Sequence, residues 1–267
     1  MAQQAAMTVV AIRNGTRIPP VAEYGVIFND ASGLGEIDHL VGGTGTCRWK
    51  TIINGMHLPG AWNVVEYVVI PPGASCGQHQ HNETEEIYYI LSGTAEMHID
   101  GSPVQVHAGD LITCPIGTIH GIANHGADDM RFFVVEVFPG RGAAPPAERI
   151  AVHAQLRHVS GYRRNAGDDL RVSQVNLTRH FTGPWRVFSE IEIPPEEEIG
   201  PYHPPRGTAE VLFVVDGEAE VTARAQARKG GPGLCVGAAL GSVLAVRNSS
   251  DRKPLRLIST EVRAGWT

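Results

Sequence analysis

The chain of 267 residues repeats one pattern of Trp, Pro, His, Glu and Gly along its length. Trp62, followed by Ile70-Pro71-Pro72, returns as Trp185 followed by Ile193-Pro194-Pro195, a shift of 123 residues. The shift then stays at 124 across six further pairs: His79 and His203, Glu86 and Glu210, Gly93 and Gly217, Gly109 and Gly233, Gly117 and Gly241, and Asn124 and Asn248. One offset held across so many residues predicts two tandem copies of one fold unit.

The segments between the repeated residues are short, β-rich and separated by turn residues, which indicates an all-β sandwich or barrel. The 31 Gly and 18 Pro punctuate predicted strands at 64–70, 87–91, 95–99, 111–114, 132–138, 187–193, 211–215, 219–223 and 243–246. Asp100-Gly101 predicts a tight hairpin turn, because both residues tolerate positive φ. The sequence predicts at most one short helix, near 147–157.

The repeat also predicts how the chain is divided. Residues 1–48 have no counterpart in the second copy, so they form an extension of extra strands or a dimer arm. The first repeated domain then covers 49–140 and the second 171–267. A linker at 141–170 is expected to begin near 139–146, where Gly and Pro cluster.

Charge and hydropathy exclude several classes of partner. The net charge is −6 without a dense Lys/Arg run, so nothing indicates binding to nucleic acid or to a membrane surface. The apolar runs are too short to span a bilayer, and Met1–Met7 lacks the regions of an export signal. Four widely spaced cysteines form no CxxC pair, which favours buried free thiols. We therefore expect a cytoplasmic protein with a small-molecule partner.

Four residues of the first copy are the candidate metal ligands: His79, His81, Glu86 and His120. His79 and His81 are two apart on a predicted strand and face the same way. Glu86 lies an odd step further, so a turn at 82–84 must intervene. Three imidazoles and one carboxylate suit Fe(II), Mn(II), Ni(II), Cu(II) or Zn(II).

Two motifs around these residues resemble those of the cupin family. The first runs from Gly73 through His79, His81 and Glu86 to Gly93, and the second runs from Gly109 through Pro115, Gly117 and His120 to Asn124. The resemblance implies a bicupin, an all-β chain with two tandem jelly-roll barrels. It also implies that the four candidate ligands hold one divalent ion, with Fe(II) expected first, and leave positions open for water, dioxygen or substrate.

The second copy keeps only part of the ligand set. His203 and Glu210 persist, but Pro205 stands where the second His would be and Leu244 where the third would be. Two ligands rarely hold a transition metal, so we expect the second barrel to be metal-free. A divergent second site that uses Tyr202 or His180 stays open as an alternative.

Other residues near the motifs have weaker signals. Tyr88, two residues beyond Glu86, should face the same way, so both are our candidate catalytic residues. Glu83 and Glu85 are expected to be solvated or to support the ligands, and His98, His107 and His125 to lie outside the site. An apolar pocket wall is expected from Met97, Ile99, Ile112, Ile122 and either Phe132 or Phe133.

The leading functional hypothesis is a metal-dependent cupin enzyme of bacterial secondary metabolism, an Fe(II) dioxygenase acting on a small organic molecule. One alternative is a redox-neutral Lewis-acid enzyme, such as an isomerase, cyclase, dehydratase or decarboxylase, with Zn, Mn or Ni. Another is a non-catalytic cupin that binds a small ligand. Because bicupins often pair, the resemblance also implies a homodimer.

Overall fold

The computed structural model describes residues 11–13, 16–18, 26–140, 157–158, 170–223, 226–239 and 241–264. The first strands are β1 Ala11–Arg13, β2 Thr16–Ile18, β3 Val26–Asp30, β4 Gly35–Asp38 and β5 Thr46–Asn54. They are followed by β6 Trp62–Ile70, β7 Ser75–Gln80, β8 Glu85–Ser92, β9 Thr94–Ile99, β10 Ser102–His107, β11 Leu111–Cys114, β12 Ile119–Ala123 and β13 Met130–Val137.

The second half continues the strand pattern. Its strands are β14 Arg157–His158, β15 Arg171–Asn176, β16 Trp185–Ile193, β17 Glu198–Tyr202, β18 Thr208–Asp216, β19 Ala219–Ala223, β20 Gln226–Gly230, β21 Leu234–Ala238, β22 Leu244–Asn248 and β23 Leu255–Arg263. Short 3₁₀ helices cover Leu40–Gly42, Gly55–His57 and Leu177–Arg179. None of the helices in the described part of the chain has the length and apolar character needed to cross a membrane.

The two halves share one strand order. In the first, one sheet runs β11-β8-β13-β6-β5-β4 and the other runs β10-β9-β12-β7. In the second, the corresponding sheets contain β21-β18-β23-β16-β15-β14 and β20-β19-β22-β17. The pairing is antiparallel throughout, and each pair of sheets encloses a buried apolar cluster. The repeat predicted two tandem copies of one fold unit, and the cupin resemblance implied that each is an all-β jelly-roll barrel. Both expectations are confirmed.

The N-terminal strands join both barrels. β4 and β5 extend the first barrel's larger sheet, whereas β3 pairs with β21 at the edge of the second barrel's larger sheet. Asn29 reinforces this connection, because its side-chain amide donates to the carbonyl of Ile52 at 2.6 Å. The chain therefore contributes β3 to the second barrel before β4 and β5 enter the first.

The outer faces of the two larger sheets pack against each other. This interface cluster buries aromatic residues of both halves, among them Tyr89, Phe133, Phe188 and Phe213. The Phe133 and Phe213 ring centroids are 4.8 Å apart, and Tyr67 stacks on Phe213 at 6.1 Å. Apolar burial is the dominant favourable term in folding, so this shared core holds the barrels as one unit.

Local predictions had different outcomes. Asp100 and Gly101 have φ values of 46° and 82° in the hairpin between β9 and β10, as their sequence predicted. The helix expected near 147–157 lies outside the described residues except for its last position. Arg157 begins strand β14, so a helix reaching that residue was wrong. A two-residue strand carries too little hydrophobic pattern to be recognised in the sequence.

Candidate metal centre

Three strands and one loop bring the candidate ligands together inside the first barrel. His79 lies on β7, and His81 follows the end of that strand. The bend at 82–84 then reverses the chain, so that Glu86 enters on β8. His120 comes from β12, where it pairs directly with His79 across the sheet. All four predicted residues therefore converge.

The ligand atoms have the spacing that a single ion requires. One atom from each of the four residues lies within 4.8 Å of the others. His79 Nε2 is 3.0 Å from His81 Nε2, and Glu86 Oε2 is 3.4 Å from His81 Nε2 and 2.9 Å from His120 Nε2. Atoms bound at about 2.1 Å on adjacent positions of one ion lie roughly 3.0–3.4 Å apart. The cluster could bind a metal ion.

The hydrogen bonds around the cluster also fit a cation. His79 Nδ1 lies 2.9 Å from the carbonyl oxygen of Gly77, which can only accept, so its neutral ring turns the Nε2 lone pair toward the cluster. His81 Nδ1 bonds Thr84 Oγ1 at 2.7 Å. Glu86 Oε2 is buried and makes no hydrogen bond within the described residues, although imidazole nitrogens surround it. A bound cation would satisfy these lone pairs.

Burial sets the protonation of the metal-free cluster. It lowers the pKa of His120 to about 4 and lowers that of His79, so both imidazoles are neutral near pH 7. Burial raises the pKa of Glu86 to about 8, an effect that the nearby His81 partly offsets. Neutral imidazoles are ready to bind a metal, whereas the carboxyl group must release its proton.

Tyr88 lies next to the cluster, as the alternation of β8 predicted. Its hydroxyl is 3.2 Å from His120 Nε2 and hydrogen-bonds to Glu86. Burial and the neighbouring carboxyl groups raise the pKa of Tyr88 well above its usual value, so the phenol stays protonated. A protonated hydroxyl beside the cluster can donate to a bound molecule.

The remaining wall of this barrel is mostly apolar. Met97, Ile99, Ile112, Ile122 and Phe132 all lie in its buried cluster. Phe133 instead belongs to the cluster between the barrels, which decides a choice that sequence parity left open.

Glu85 departs from its predicted role. Instead of being solvated or supporting the ligands, it is fully buried at the contact between the barrels. Its carboxylate accepts from Thr182 N at 3.0 Å, Thr182 Oγ1 at 2.8 Å, Gly183 N at 2.9 Å and Trp185 Nε1 at 3.0 Å. The prediction was wrong because successive strand side chains leave opposite faces, and both faces of β8 are buried.

Other polar residues lie apart from the cluster. Glu83 and His125 are exposed, and His98 bonds Glu96 at 2.9 Å. His107 is also exposed, but it ends strand β10 rather than lying in a loop. Two glutamates that the sequence analysis did not single out, Glu66 and Glu136, lie on the inner faces of β6 and β13. Glu66 interrupts the apolar run of β6, and this interruption is the sequence signal that could have identified it as a candidate site residue.

The described residues of the second barrel do not reproduce the cluster. Within the described residues, the metal-compatible grouping of His, Cys, Asp and Glu is that of the first barrel. His203 Nδ1 bonds the carbonyl of Ser242 at 2.9 Å, and the buried Glu210 accepts from Ser259 Oγ at 2.6 Å. His203 and Glu210, the two residues that the second copy keeps from the ligand set, therefore both hydrogen-bond to other residues of the protein.

Comparison with known sequences identifies the fold family. The sequence profile described as "Cupin domain" matches residues 66–136, the stretch that holds all four candidate ligands. An oxalate-binding protein of Thermotoga maritima is 32% identical over 99 residues, which are 37% of this chain and 82% of that protein. The chain belongs to the cupin superfamily.

Two further relatives of this cupin carry names of enzymes. Dimethylsulfoniopropionate lyase DddW of Ruegeria pomeroyi is 33% identical over 97 residues, 35% of this chain and 62% of that enzyme. The 5-nitrosalicylic acid 1,2-dioxygenase of a Bradyrhizobium species is 30% identical over 67 residues, 25% of this chain and 32% of that enzyme. The chain thus spans less than two thirds of each.

Solved structures share the bicupin architecture over most of the chain. AerE from Microcystis aeruginosa superposes with a TM-score of 0.66 at 19% identity, covering 88% of this cupin and 98% of AerE. Protein Ylba from E. coli gives a TM-score of 0.67 at 12% identity, covering 98% and 96% of the two chains. At these identities the likeness concerns the fold alone.

Proposed function

We propose that the first barrel of this cupin is the active site of a metal-dependent enzyme, a dioxygenase that uses Fe(II) on a small organic molecule. The observation that carries the proposal is the convergence of His79, His81, Glu86 and His120 within 4.8 Å beside the buried apolar cluster of the first barrel. Three imidazoles and one carboxylate leave two positions open around a six-coordinate ion such as Fe(II), and an open position is what a catalytic metal needs.

Bound to these ligands, Fe(II) would supply the redox chemistry that dioxygen activation needs. The chain's own residues would prepare the site. His79 and His81 are oriented by Gly77 and Thr84, so that their lone pairs face the cluster without rearrangement. The apolar wall that includes Met97, Ile112 and Phe132 excludes water from the bound substrate.

Tyr88 is the proposed catalytic hydrogen-bond donor. When His120 Nε2 is engaged as a ligand, its lone pair no longer accepts from the Tyr88 hydroxyl 3.2 Å away, and this donor can turn from Glu86 to a substrate oxygen. A fixed donor beside the reacting atoms stabilises developing negative charge without reorganising solvent.

The redox-neutral alternative has a specific observation in its favour. The relative from Ruegeria pomeroyi is named a lyase, and it is 33% identical over 97 residues. The same ligand set with Zn(II) or Mn(II) would act as a Lewis acid, and Glu86 or Tyr88 would then transfer protons. The relative named a dioxygenase supports the first candidate on comparable grounds.

Metal analysis combined with dioxygen uptake separates the candidates. The chain purified without added ions is expected to contain about one metal per molecule by the ligand count. Fe(II)-loaded protein should consume dioxygen with a panel of small organic substrates, and a chelator should abolish the uptake. Uptake that survives complete metal removal would overturn the proposal, and substrate turnover without dioxygen consumption would favour the lyase class.

A further inference from the structure

Three carboxyl groups share the inner face of the first barrel's larger sheet. Glu86 on β8 pairs directly with Glu136 on β13, and Glu66 on β6 pairs with Val134 of the same neighbour. Residues directly opposite on adjacent strands, and residues two apart on one strand, point to the same side. That side is the barrel interior, because Val134 belongs to the inner cluster.

The Glu136 carboxylate lies within electrostatic range of the metal cluster without belonging to it. Its charge raises the pKa of Glu86 and partly offsets the lowering of the pKa values of His79 and His120 that burial causes. Asn63 Nδ2 donates to Glu136 Oε2 at 2.7 Å and holds the group in place. The partly exposed side chain therefore lines the approach to the cluster.

Glu66 is held in a similar way on the neighbouring strand. Thr51 Oγ1 donates to Glu66 Oε1 at 3.3 Å, and the Trp49 side chain donates a second hydrogen bond. A carboxylate has about four lone-pair positions, so acceptor capacity is left for another donor. Glu66 is also only partly buried, which leaves it accessible from the barrel interior.

Among the described residues, no Lys or Arg forms an ion pair with these three carboxyl groups. The basic residues of the adjoining strands are engaged elsewhere: Arg48 and Arg131 both pair with Asp129. Lys50 Nζ donates to the carbonyls of Asp30 and Ser32 at 2.8 and 2.7 Å. Within the described part of the chain, the negative charge of these carboxylates is therefore not paired with a basic side chain.

We propose that the molecule bound beside the metal is neutral or cationic and carries hydroxyl or amino donors, and that Glu66 and Glu136 select it. This inference rests on the proposed function, because the molecule is the substrate of that site. With all three carboxyl groups ionised, their charge outweighs that of a divalent ion. When Glu66 carries a proton, the charge of the two remaining carboxylates equals that of the divalent ion. In neither case does a dianion gain net attraction, whereas each donor of a neutral or cationic substrate finds a fixed acceptor.

The test uses the full chain loaded with Co(II), a redox-stable ion whose visible spectrum reports on ligands. Oxalate serves as the dianionic probe and imidazole as the neutral one. The double variant Glu66→Gln/Glu136→Gln should bind oxalate at least about tenfold more tightly than the parent, because each removed charge interacts electrostatically with the ligand Glu86. Its affinity for imidazole should change less than about twofold. The control Glu36→Gln/Glu83→Gln removes two exposed charges and should leave both affinities unchanged.

A second measurement needs no variant. At pH 8, with all three carboxyl groups ionised, added salt screens the repulsion between oxalate and the site, so oxalate binding to the Co(II)-loaded parent should strengthen between low and high ionic strength. Equal oxalate affinity in the parent and the double variant would overturn the proposal that Glu66 and Glu136 select the substrate by its charge. Oxalate binding that weakens steadily with salt would overturn it as well. Neither result would contradict the proposed function. A parent that takes up no Co(II) would overturn both.

Discussion

Glu85 and Glu86 are neighbours in sequence whose side chains leave β8 in opposite directions. Glu86 enters the first barrel among three imidazoles, and Glu85 enters the contact between the barrels, where four donors surround it. The same alternation separates Phe132 from Phe133. One step along a strand therefore changes a residue's role from metal binding to barrel docking.

The asymmetry between the barrels predicts which histidines hold the metal. His81→Ala or His120→Ala should reduce the bound metal to near zero, because each removes one of the four ligands of a single ion. His203→Ala should leave the metal content close to that of the parent, since His203 bonds a backbone carbonyl in the second barrel. Metal content per chain, measured by plasma emission, checks both. Equal loss in the His203 variant would show that the second barrel also binds metal.

Glu66 predicts a pH-dependent difference in stability. Burial raises its pKa from 4.5 to about 7, so the folded state favours the protonated form. That stability is fully present below pH 4.5 and is lost as the pH rises through about 7. Glu66→Gln mimics the protonated group, so in chelator-treated protein it should match the parent at pH 4 and be about 1–3 kcal/mol more stable at pH 8.

Urea unfolding of the Glu66 variant at several pH values measures this difference. Glu86 is present in both the parent and the variant, so its desolvation, the largest cause of its raised pKa, cancels from the comparison. Glu83→Gln is the control, because its exposed side chain should give a difference independent of pH. A constant offset between the Glu66 variant and the parent from pH 4 to 8 would contradict the prediction.

At the scale of elements, two side chains of β8 form hydrogen bonds with the second barrel. Glu85 connects its start to the segment at 182–185, and Tyr89 donates to Glu190 of β16 at 2.6 Å. Neither contact was predicted from the sequence, because both partners lie about 100 residues away. The local sequence pattern predicted strand β8, but it did not predict which residues of the second barrel contact its outer face.

Replacing Glu85 tests this connection. Glu85→Ala leaves four donors without their acceptor in a buried interface, so the free energy of unfolding should fall by about 3–5 kcal/mol. Glu83→Ala, two residues earlier and exposed, should stay within about 0.5 kcal/mol of the parent. Denaturant unfolding followed by circular dichroism gives both values. A loss below about 1 kcal/mol for Glu85→Ala would mean that the carboxylate does not stabilise the interface.

At the scale of the whole molecule, the barrels are linked by a shared apolar core and by the N-terminal strand β3, which pairs with the second barrel. The interface cluster contains residues of both halves, and β3 pairs with β21 of the second barrel before the chain enters the first. Separating the barrels would expose this core and leave the β21 edge unpaired. The two repeats therefore depend on each other for stability, even though the candidate metal cluster lies in the first.

This dependence predicts a single unfolding transition. Circular dichroism and tryptophan fluorescence should report the same midpoint in urea, because neither barrel persists without the other. Phe213→Ala in the interface should move both signals together and cost about 3–5 kcal/mol, whereas Val221→Ala inside the second barrel's own core should cost less. Two separate transitions in the parent would show that the barrels fold independently.

The sequence by itself determined the repeated all-β architecture and the four candidate ligands. Both depend on local spacing: matched glycines at one offset, alternation along β8, and the His79–His81 pair with its following turn. Only the tertiary structure decided that Glu85 is buried in the contact between the barrels and that Glu66 and Glu136 lie on the same inner face as Glu86. It also decided that β3 pairs with a strand of the second barrel. Alternation tells which residues share a face, but contacts between distant segments decide what that face meets.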